Sequence, residues 1–288
     1  MARILLAGAT GYLGGFIARE LQDRKYHTRV VVRDVEKFEA SGCPADEVVR
    51  AEVTDRASLQ GCCDNVDMVV SAVGITKQKD GLTYMDVDYQ ANLNLLEAAQ
   101  QSGVKKFVYV SVLNGASMTQ LQICRAKEKF VEALKGSGLE FCIIRPNGFF
   151  SDMAEFHAMA ARGRVYLFGD GQYKSNPIHG QDLARVCVGA LKESAREIDV
   201  GGPEVLTQNE IAGLAFAAVG KSPKVTFVPD WVRRFVLVAG RICLSAPRFG
   251  PVEFFMHVMT TDMVAPTCGE HTLAGYFQGL QEADPDHP

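Results

Sequence analysis

Residues 3–14 read RILLAGATGYLG, and this stretch decides the fold. Its first five residues predict a short buried strand, and GATGYLG at residues 8–14 is a GxxGxxG turn that leads directly into a helix. Glycines let the backbone approach a phosphate group closely, and the amides at the helix start bind its oxygens. The turn predicts a phosphate-binding loop, although a tight turn without a ligand is the alternative. We expect contacts from Gly8, Thr10, Gly11, Tyr12, Leu13 and Gly14.

Strands and helices alternate beyond this loop through the first half of the chain. Apolar runs predict further strands at residues 28–32, 48–53, 68–72, 107–111 and 141–145, with helices at 88–101 and 126–134. Near-continuous apolar strands that alternate with helices indicate a parallel sheet covered on both faces. The sequence therefore predicts an α/β fold with a doubly wound parallel sheet of the dinucleotide-binding Rossmann type.

The pattern loosens after residue 146, where loops rich in glycine and proline begin. We expect residues 1–146 to form an NAD(P)-binding core. Residues 147–288 are expected to form a smaller substrate-side region, packed on the core and able to add a last strand to the sheet. Within that region Thr207, with Glu210 three residues later, predicts a capping box at the start of a helix.

A further helical pattern lies in the tail of the chain. Its apolar residues are either a packing face or an exposed surface, and the sequence leaves both open. As a surface, the segment 231–258 would serve as a lid over an apolar substrate or as a contact for a protein partner or a membrane. The residues at helical spacing are Trp231, Phe235, Val238, Ala239 and Ile242.

Composition excludes several classes of protein. The chain has 288 residues and a net charge of −4, which argues against a nucleic-acid-binding surface. Its eight cysteines include no CxxC pair, so we expect no metal site and reduced thiols. The apolar run at the start is too short for a signal peptide, and no run approaches the length of a membrane span. These features predict a cytoplasmic protein.

The end of the second predicted strand bears on the choice of cofactor. The strand reads TRVVVRD, so Arg33 precedes Asp34 at its tip. An acidic side chain there would bind the ribose hydroxyls of NAD, whereas a guanidinium pairs with the 2′-phosphate of NADP. We expect Arg33 to favour NADP(H); the alternative is that Arg33 is solvated and Asp34 binds the ribose.

Two other strand ends supply candidate cofactor contacts. Asp55 follows the third predicted strand and either reaches the adenine or caps the short helix that follows it. Ala72, Val73 and Gly74 follow the fourth strand, and their small side chains and free amides suit a position near the nicotinamide ribose.

An ordered set of motifs resembles a known superfamily over residues 3–220. Besides the glycine loop, the set comprises EVTD, SAVG, FVYVS, AKEKFVEAL, IIRPNGFF and IHGQDLARV. Together they resemble the atypical short-chain dehydrogenases/reductases, in the NmrA-like and isoflavone-reductase-like branches. RPNGFF and the segments after it are also similar to divinyl chlorophyllide reductases, which reduce a carbon–carbon double bond with NADPH.

The resemblance implies a cofactor site at the carboxyl ends of the strands. It implies that Ser111 and Lys127 line the nicotinamide and are the catalytic candidates. The loop beneath the nicotinamide would be formed by Pro146, Asn147, Gly148 and Phe149.

One position departs from the reductase pattern. Members with a YxxxK pair use the tyrosine to protonate the substrate oxygen, but Ile123 stands four residues before Lys127. Two substitutes remain open. Either Lys127, its pKa lowered by burial, acts as the acid, or Tyr84 or Tyr173 reaches over the site. The other alternative for Lys127 is binding of the ribose alone.

Two functions fit the sequence. The first is an NADPH-dependent reductase of a small apolar carbonyl or enone compound. The second is a non-catalytic NADP(H)-binding redox sensor or assembly factor of NmrA-like type, which the isoleucine at position 123 favours.

Overall fold

The computed structural model describes residues 1–76, 78 and 81–282. The strands are β1 (Arg3–Ala7), β2 (His27–Val32), β3 (Glu47–Arg50), β4 (Met68–Ser71), β5 (Lys106–Val110), β6 (Glu140–Pro146), β7 (Val165–Phe168), β8 (Lys174–Ser175), β9 (Glu197–Val200), β10 (Leu206–Thr207) and β11 (Val225–Val228). The α-helices are α1 (Tyr12–Asp23), α2 (Val35–Ala40), α3 (Asn92–Gln101), α4 (Gln122–Lys135), α5 (Phe150–Ala161), α6 (Gly180–Gly189), α7 (Gln208–Ala218), α8 (Asp230–Cys243), α9 (Ala246–Val258) and α10 (Leu273–Glu282).

Seven strands form the main sheet in the order β3-β2-β1-β4-β5-β6-β9. The central strand β1 pairs in parallel with β2 on one side and β4 on the other, so that Leu6 lies opposite Val30 and Val70. The strand order reverses at β1 and β4, and ligands of doubly wound sheets bind beyond the carboxyl ends of the strands at such a point. The predicted fold class is confirmed.

The ends of two predicted elements differ from the structure. The third strand ends at Arg50 and not at residue 53. The helix predicted at residues 88–101 begins as a π-helix at Met85–Ala91 and continues as α3. Asn92 accounts for this wider turn, because its side-chain amide donates to the carbonyls of Val87 and Asp88 at 3.2 and 3.1 Å.

The chain divides into two compact units at Arg145, next to the boundary predicted after residue 146. The first unit is Met1–Arg145 with Leu183–Ile198, and the second is Pro146–Asp182 with the chain from Asp199 onward. In the first unit, α3 and α4 cover one face of the sheet, where Phe130 packs on Phe107 and Tyr109. A substrate-side role for the second unit stays a prediction.

The core of the second unit is built around α5, α7 and β7. Its fully buried aromatic residues are Phe150, Phe216 and Phe277. The predicted capping box of α7 is present, since Thr207 Oγ1 accepts from the Glu210 amide at 3.2 Å. The carboxylate of Glu210 accepts from the Thr207 amide in return, at 2.7 Å. A cap of this kind stabilises a helix by about 1 kcal/mol.

The apolar residues of α8 form an exposed surface. The fractional exposures are 69% for Trp231, 66% for Phe235, 59% for Val238 and 80% for Ile242. A packing face is therefore the wrong alternative for these four residues, whereas Ala239 is half-buried on the side of α9. Among the described ranges, no helix is both long and apolar enough to cross a bilayer.

Candidate functional site

The glycine loop between β1 and α1 leaves no room for a side chain at Gly8 or Gly14. Gly8 has φ of +91°, and a Cβ there would lie 2.9 Å from the carbonyl carbon and oxygen of Ala72. A Cβ on Gly14 would fall far inside van der Waals contact with the Gly8 carbonyl oxygen. Both positions therefore require glycine, and the loop lies directly against the end of β4.

The loop ends where α1 begins. Gly11 is the N-cap of α1, and having no side chain it does not compete for the amides of the first helical turn. Thr10 and Tyr12 are exposed at this end, while Leu13 is buried and anchors the turn. A helix start with uncapped amides, next to a close backbone turn, fits a pyrophosphate group.

Asp34 is occupied as a helix cap, which leaves the cation at the tip of β2 to a ligand. The Asp34 carboxylate accepts from the Lys37 amide at 2.9 Å at the start of α2. Arg33 is exposed, and within the described part of the chain it makes no ion pair. This arrangement supports the preference for a 2′-phosphate at Arg33, which stays a prediction.

Asp55 serves as a cap in this structure. Its carboxylate accepts from the Ala57 amide at 3.0 Å, at the start of a short 3-10 helix at Arg56–Leu59. Of the two roles predicted for Asp55, capping is thus observed, and contact with the adenine stays a prediction.

A buried polar network fixes the segment after β4. The Ser71 hydroxyl donates to Asn92 Oδ1 at 2.6 Å, and the Asn92 amide donates to the Val73 carbonyl at 3.2 Å. The backbone of Ala72 and Val73 is thereby held between the glycine loop and the helical segment that ends at Asn92.

Gly74 lies against a buried ion pair. Lys127 Nζ is 2.9 Å from Asp88 Oδ1, and Asp88 is completely buried. A Cβ on Gly74 would lie 2.7 Å from that oxygen and 3.0 Å from the Lys127 nitrogen. Gly74 and Lys127, predicted separately to lie near the nicotinamide, are thus brought together at the carboxyl edge of the sheet.

The environment of Lys127 keeps its amine protonated. Burial alone would lower the pKa of Lys127, but Tyr109 and Asp88 together raise it above its usual range. The expectation that burial lowers this pKa and makes the lysine a ready acid is therefore wrong. Tyr109 and Asp88 together outweigh the effect of burial on Lys127, while burial raises the pKa of Asp88 and Lys127 lowers it.

Tyr109 is a second neighbour of Lys127. Lys127 Nζ lies 5.5 Å from the centre of the Tyr109 ring, and burial raises the pKa of Tyr109 to about 12. The phenol is fully buried in the core under α4, packed on Phe130 at 4.6 Å between ring centres. Tyr109 is therefore a neutral group behind the lysine, out of reach of a substrate.

Ser111 lies beside a second buried ion pair. Its hydroxyl is 3.5 Å from Glu128 Oε1. The two terminal nitrogens of Arg145 donate to the Glu128 carboxylate at 2.5 and 3.0 Å. Burial alone would lower the pKa of Arg145, but Glu128 and Glu197 raise it above its usual range. This pair ties α4 to β6 and fixes the end of β5, where Ser111 is 5% exposed.

The tyrosine expected one turn before Lys127 is replaced by an apolar side chain, and the two tyrosines predicted as substitutes differ in their surroundings. Ile123 lies in the first turn of α4 and is buried, so it packs in the core. Tyr84, one of the two loop candidates, is buried and donates its hydroxyl to the Thr76 carbonyl at 2.8 Å. The other candidate, Tyr173, lies in the second unit and is half-buried.

The segment RPNGFF continues from β6 into the second unit. The Asn147 amide donates to Asn176 Oδ1 at 2.9 Å and to the Met263 carbonyl, and Asn147 Oδ1 accepts from the Gly148 amide at 2.7 Å. Its side chain is thus fully used in holding its own loop. Pro146 and Phe149 flank this loop, and cofactor contacts from the four residues stay a prediction.

One acidic and histidine group in the second unit is satisfied internally. Asp182, Glu270 and His271 bring possible ligand atoms within 4.8 Å of one another. The Asp182 carboxylate already accepts from His271 Nδ1 at 2.9 Å and from the amides of Glu270 and His271 at 3.1 Å. These contacts anchor the loop that carries Glu270 and His271. The rings of His179 and His271 are stacked, with 4.3 Å between their centres.

Sequence reasoning missed two charged residues of the buried ion pairs, Asp88 and Arg145. Asp88 carried a signal, because an acidic residue on the buried side of an amphipathic segment needs a cationic partner. Arg145 carried a similar one as the charged end of the apolar strand FCIIR. Neither signal identifies its partner without the fold.

Comparison with known proteins establishes the family. Residues 8–194 match a family model described as NAD(P)H-binding, so this chain belongs to a family of NAD(P)H-binding proteins of reductase type. Its glycine loop, Ser111 and Lys127 all lie within the matched region. The resemblance to the NmrA-like branch of the short-chain dehydrogenases/reductases is thereby confirmed.

Three proteins illustrate the range of relatives. The divinyl chlorophyllide a 8-vinyl-reductase of Zea mays is 30% identical over 247 residues, which cover 78% of this chain and 61% of that protein. The photosystem II assembly factor Ycf39 of a Synechocystis strain is 26% identical over 240 residues, covering 81% and 73%. Among solved structures, the Vitis vinifera leucoanthocyanidin reductase complex with NADPH has a TM-score of 0.76 at 19% identity, covering 96% of this chain and 99% of that one.

Proposed function

We propose that this protein is an NADPH-dependent reductase of an apolar compound that carries a double bond conjugated to a carbonyl or to an extended π-system. One observation carries the proposal: Lys127 is held as a buried cation beside Asp88, against Gly74 in the segment that follows β4. Burying a charge is costly unless the charge is used or paired, and this one lies at the edge where doubly wound sheets bind ligands.

The residues of the first unit fit a dinucleotide. The amides at Gly11 and the start of α1 would bind the pyrophosphate, Arg33 the 2′-phosphate, and Lys127 the hydroxyls of the nicotinamide ribose. When bound, the cofactor supplies a hydride. Asp88 keeps Lys127 charged, so the lysine stabilises negative charge that develops on a substrate but does not deliver the proton itself.

The identity of residue 123 bears on the substrate class. Reduction of an isolated carbonyl needs an acid beside the oxygen, and Ile123 has no proton to give. A conjugated double bond spreads the developing charge, so water or the substrate can take part in protonation. The name of the maize relative, a vinyl reductase, supports the same class of reaction.

Turnover of NADPH with a panel of enones, quinones and vinyl-substituted tetrapyrroles tests the proposal. We expect loss of NADPH absorbance with at least one acceptor. Lys127→Met should reduce kcat while Lys129→Met, an exposed lysine on the same helix, should not. Binding of NADPH with no turnover across the panel would refute the reductase.

That refuting result would instead support an NADP(H)-binding assembly factor. The similarity to Ycf39 and the isoleucine at position 123 favour this second function. It predicts that NADPH and NADP⁺ change the affinity of the chain for a protein partner, which pull-down with each nucleotide measures.

A further inference from the structure

The exposed face of α8 is a continuous apolar stripe. Trp231, Phe235, Val238 and Ile242 are spaced by four, three and four residues, so they lie on one side of the helix. The stripe is about 16 Å long, at about 1.5 Å per residue. We call these four residues the α8 stripe.

The opposite face of α8 is fixed by its contact with α9. A Cβ on Gly240 would lie 2.6 Å from the ring of Phe249, so the two helices touch at this point. An apolar cavity of about 260 Å³ lies beside the contact and is lined in part by Phe235 and Leu244. Because Gly240 faces α9, Trp231, Val238 and Ile242 of the α8 stripe face away from it, while Phe235 also borders the cavity.

Arginines flank the α8 stripe. Residues 230–258 carry four arginines against two carboxylates, a net charge of +2 in a chain whose total is −4. The side chains of Arg234 and Arg241 are 77% and 64% exposed, one turn or less from the stripe. Arg241 pairs with Glu253, and both carboxylates of the segment are thus already counted in its net charge of +2. Arg234 shares the Asp230 carboxylate with Arg233, so this group of charges stays positive.

We propose that the α8 stripe docks on the surface of an anionic lipid bilayer. A helix lying in the interface carries an apolar face with Trp and Phe and a flanking polar face rich in arginine, as α8 does. Each arginine near an anionic leaflet adds to the attraction. The rest of the chain is acidic, so the local positive charge selects this face over the others.

The charge pattern favours lipid over a second copy of the chain. Two copies meeting at this face would bring together two segments that each carry a net charge of +2, and such like charges repel. An anionic bilayer neutralises the arginines of the segment while it takes up the apolar side chains. The docked helix lies along the surface, because α8 is too short to span a bilayer.

The chain carries its own reporter for the test. Trp231 is the single tryptophan, so the fluorescence of the full chain reports on the α8 stripe alone. The full chain is titrated with phosphatidylcholine vesicles, with or without about one third phosphatidylglycerol, and emission and co-sedimentation are followed. We expect a blue shift and sedimentation with the anionic vesicles, both reduced by salt.

Variants separate the apolar and ionic contributions. Phe235→Ser with Ile242→Ser should weaken vesicle binding on the order of a hundredfold, because both side chains lose burial in lipid. Arg234→Gln with Arg241→Gln should weaken binding to anionic vesicles about tenfold. Val48→Ser, an exposed aliphatic residue of β3, is the matched control and should leave binding unchanged.

Three results would overturn the proposal. One is the absence of any Trp231 shift or sedimentation with anionic vesicles while NADPH binding shows that the chain is folded. Another is equal binding to neutral and anionic vesicles, insensitive to the arginine variants. The third is a dimer without lipid that Phe235→Ser converts to a monomer, which would assign the α8 stripe to a second copy.

Discussion

Replacing Asp88 by asparagine should lower the free energy of unfolding, because it removes one charge of the buried Asp88–Lys127 pair. The substitution keeps the shape of the side chain and removes the charge that pairs with Lys127 at 2.9 Å. Asp88 is completely buried and the side chain of Lys127 is 11% exposed, so water cannot compensate. The ammonium would be left in the core with a neutral neighbour.

The structure sets the size of the effect. Removing one partner of a buried pair costs about 3–5 kcal/mol. Asparagine still offers an oxygen at the place where the Ile75 amide donates to Asp88 Oδ2, at 3.4 Å, so we expect the lower end, about 3 kcal/mol. Against a typical total of about 5–15 kcal/mol, urea unfolding followed by far-UV circular dichroism resolves this loss.

The loss should depend on pH with a definite sign. In the wild-type chain the pKa of Lys127 is raised, so its contribution is complete below the ordinary lysine pKa and disappears only as the pH rises through the raised value. Without the Asp88 carboxylate, one of the two groups that oppose burial is lost, and the pKa of Lys127 falls. The deficit of the D88N variant should therefore shrink as the pH rises from about 8 to 10, where the lysine becomes neutral.

Two controls bound this reasoning. Asp23→Asn, at an exposed position of α1, should change the free energy of unfolding by less than about 0.5 kcal/mol. Adding Lys127→Met to Asp88→Asn should recover much of the lost stability, because no unpaired charge remains. If D88N matches the wild type, or its deficit does not vary with pH, the account of a charged pair in the core is wrong.

Three further changes have defined outcomes. Arg33→Ala should weaken NADPH binding by about tenfold or more and leave NADH binding nearly unchanged, and calorimetry showing equal losses would contradict the 2′-phosphate assignment. Gly14→Ala should abolish nucleotide binding, because the new Cβ collides with the Gly8 carbonyl. The control Gly213→Ala has open space around it and should bind the nucleotide normally. It should also raise the free energy of unfolding by up to about 1 kcal/mol, because alanine favours a helix more than glycine does. Thr207→Ala should lower the free energy of unfolding by about 1 kcal/mol through loss of the α7 cap, measured in urea, and no change would mean that Glu210 caps without it.

The sequence predicted what depends on local pattern. The strand–glycine–helix unit of residues 3–14 requires glycine for reasons of backbone geometry, and the structure shows that requirement at Gly8 and Gly14. The capping box at Thr207 is likewise a local event of four residues. The doubly wound parallel sheet followed from the alternation of strands and helices, because few fold classes accommodate it.

The partners of the charged groups depend on contacts far apart in the chain and escaped prediction. Asp88 and Lys127 are 39 positions apart in the sequence, and Arg145 and Glu128 are 17 positions apart. The predicted direction of the Lys127 pKa shift was wrong for this reason, because the prediction considered burial but not the Asp88 carboxylate. The exposure of α8 was not predicted either. Helical spacing shows which residues share a face, but it does not show whether another part of the protein covers that face.

The backbone after β4 touches two things at once: Ala72 meets the glycine loop, and Gly74 meets Lys127 and Asp88. A displacement of these three residues is therefore transmitted to both the anchoring of a nucleotide and the electrostatics at its reactive end. Arg33 lies at the tip of another strand and has no such link. The preference between NADP(H) and NAD(H) can therefore be changed at Arg33 alone. A change at residues 72–74 would alter nucleotide binding and reactivity together.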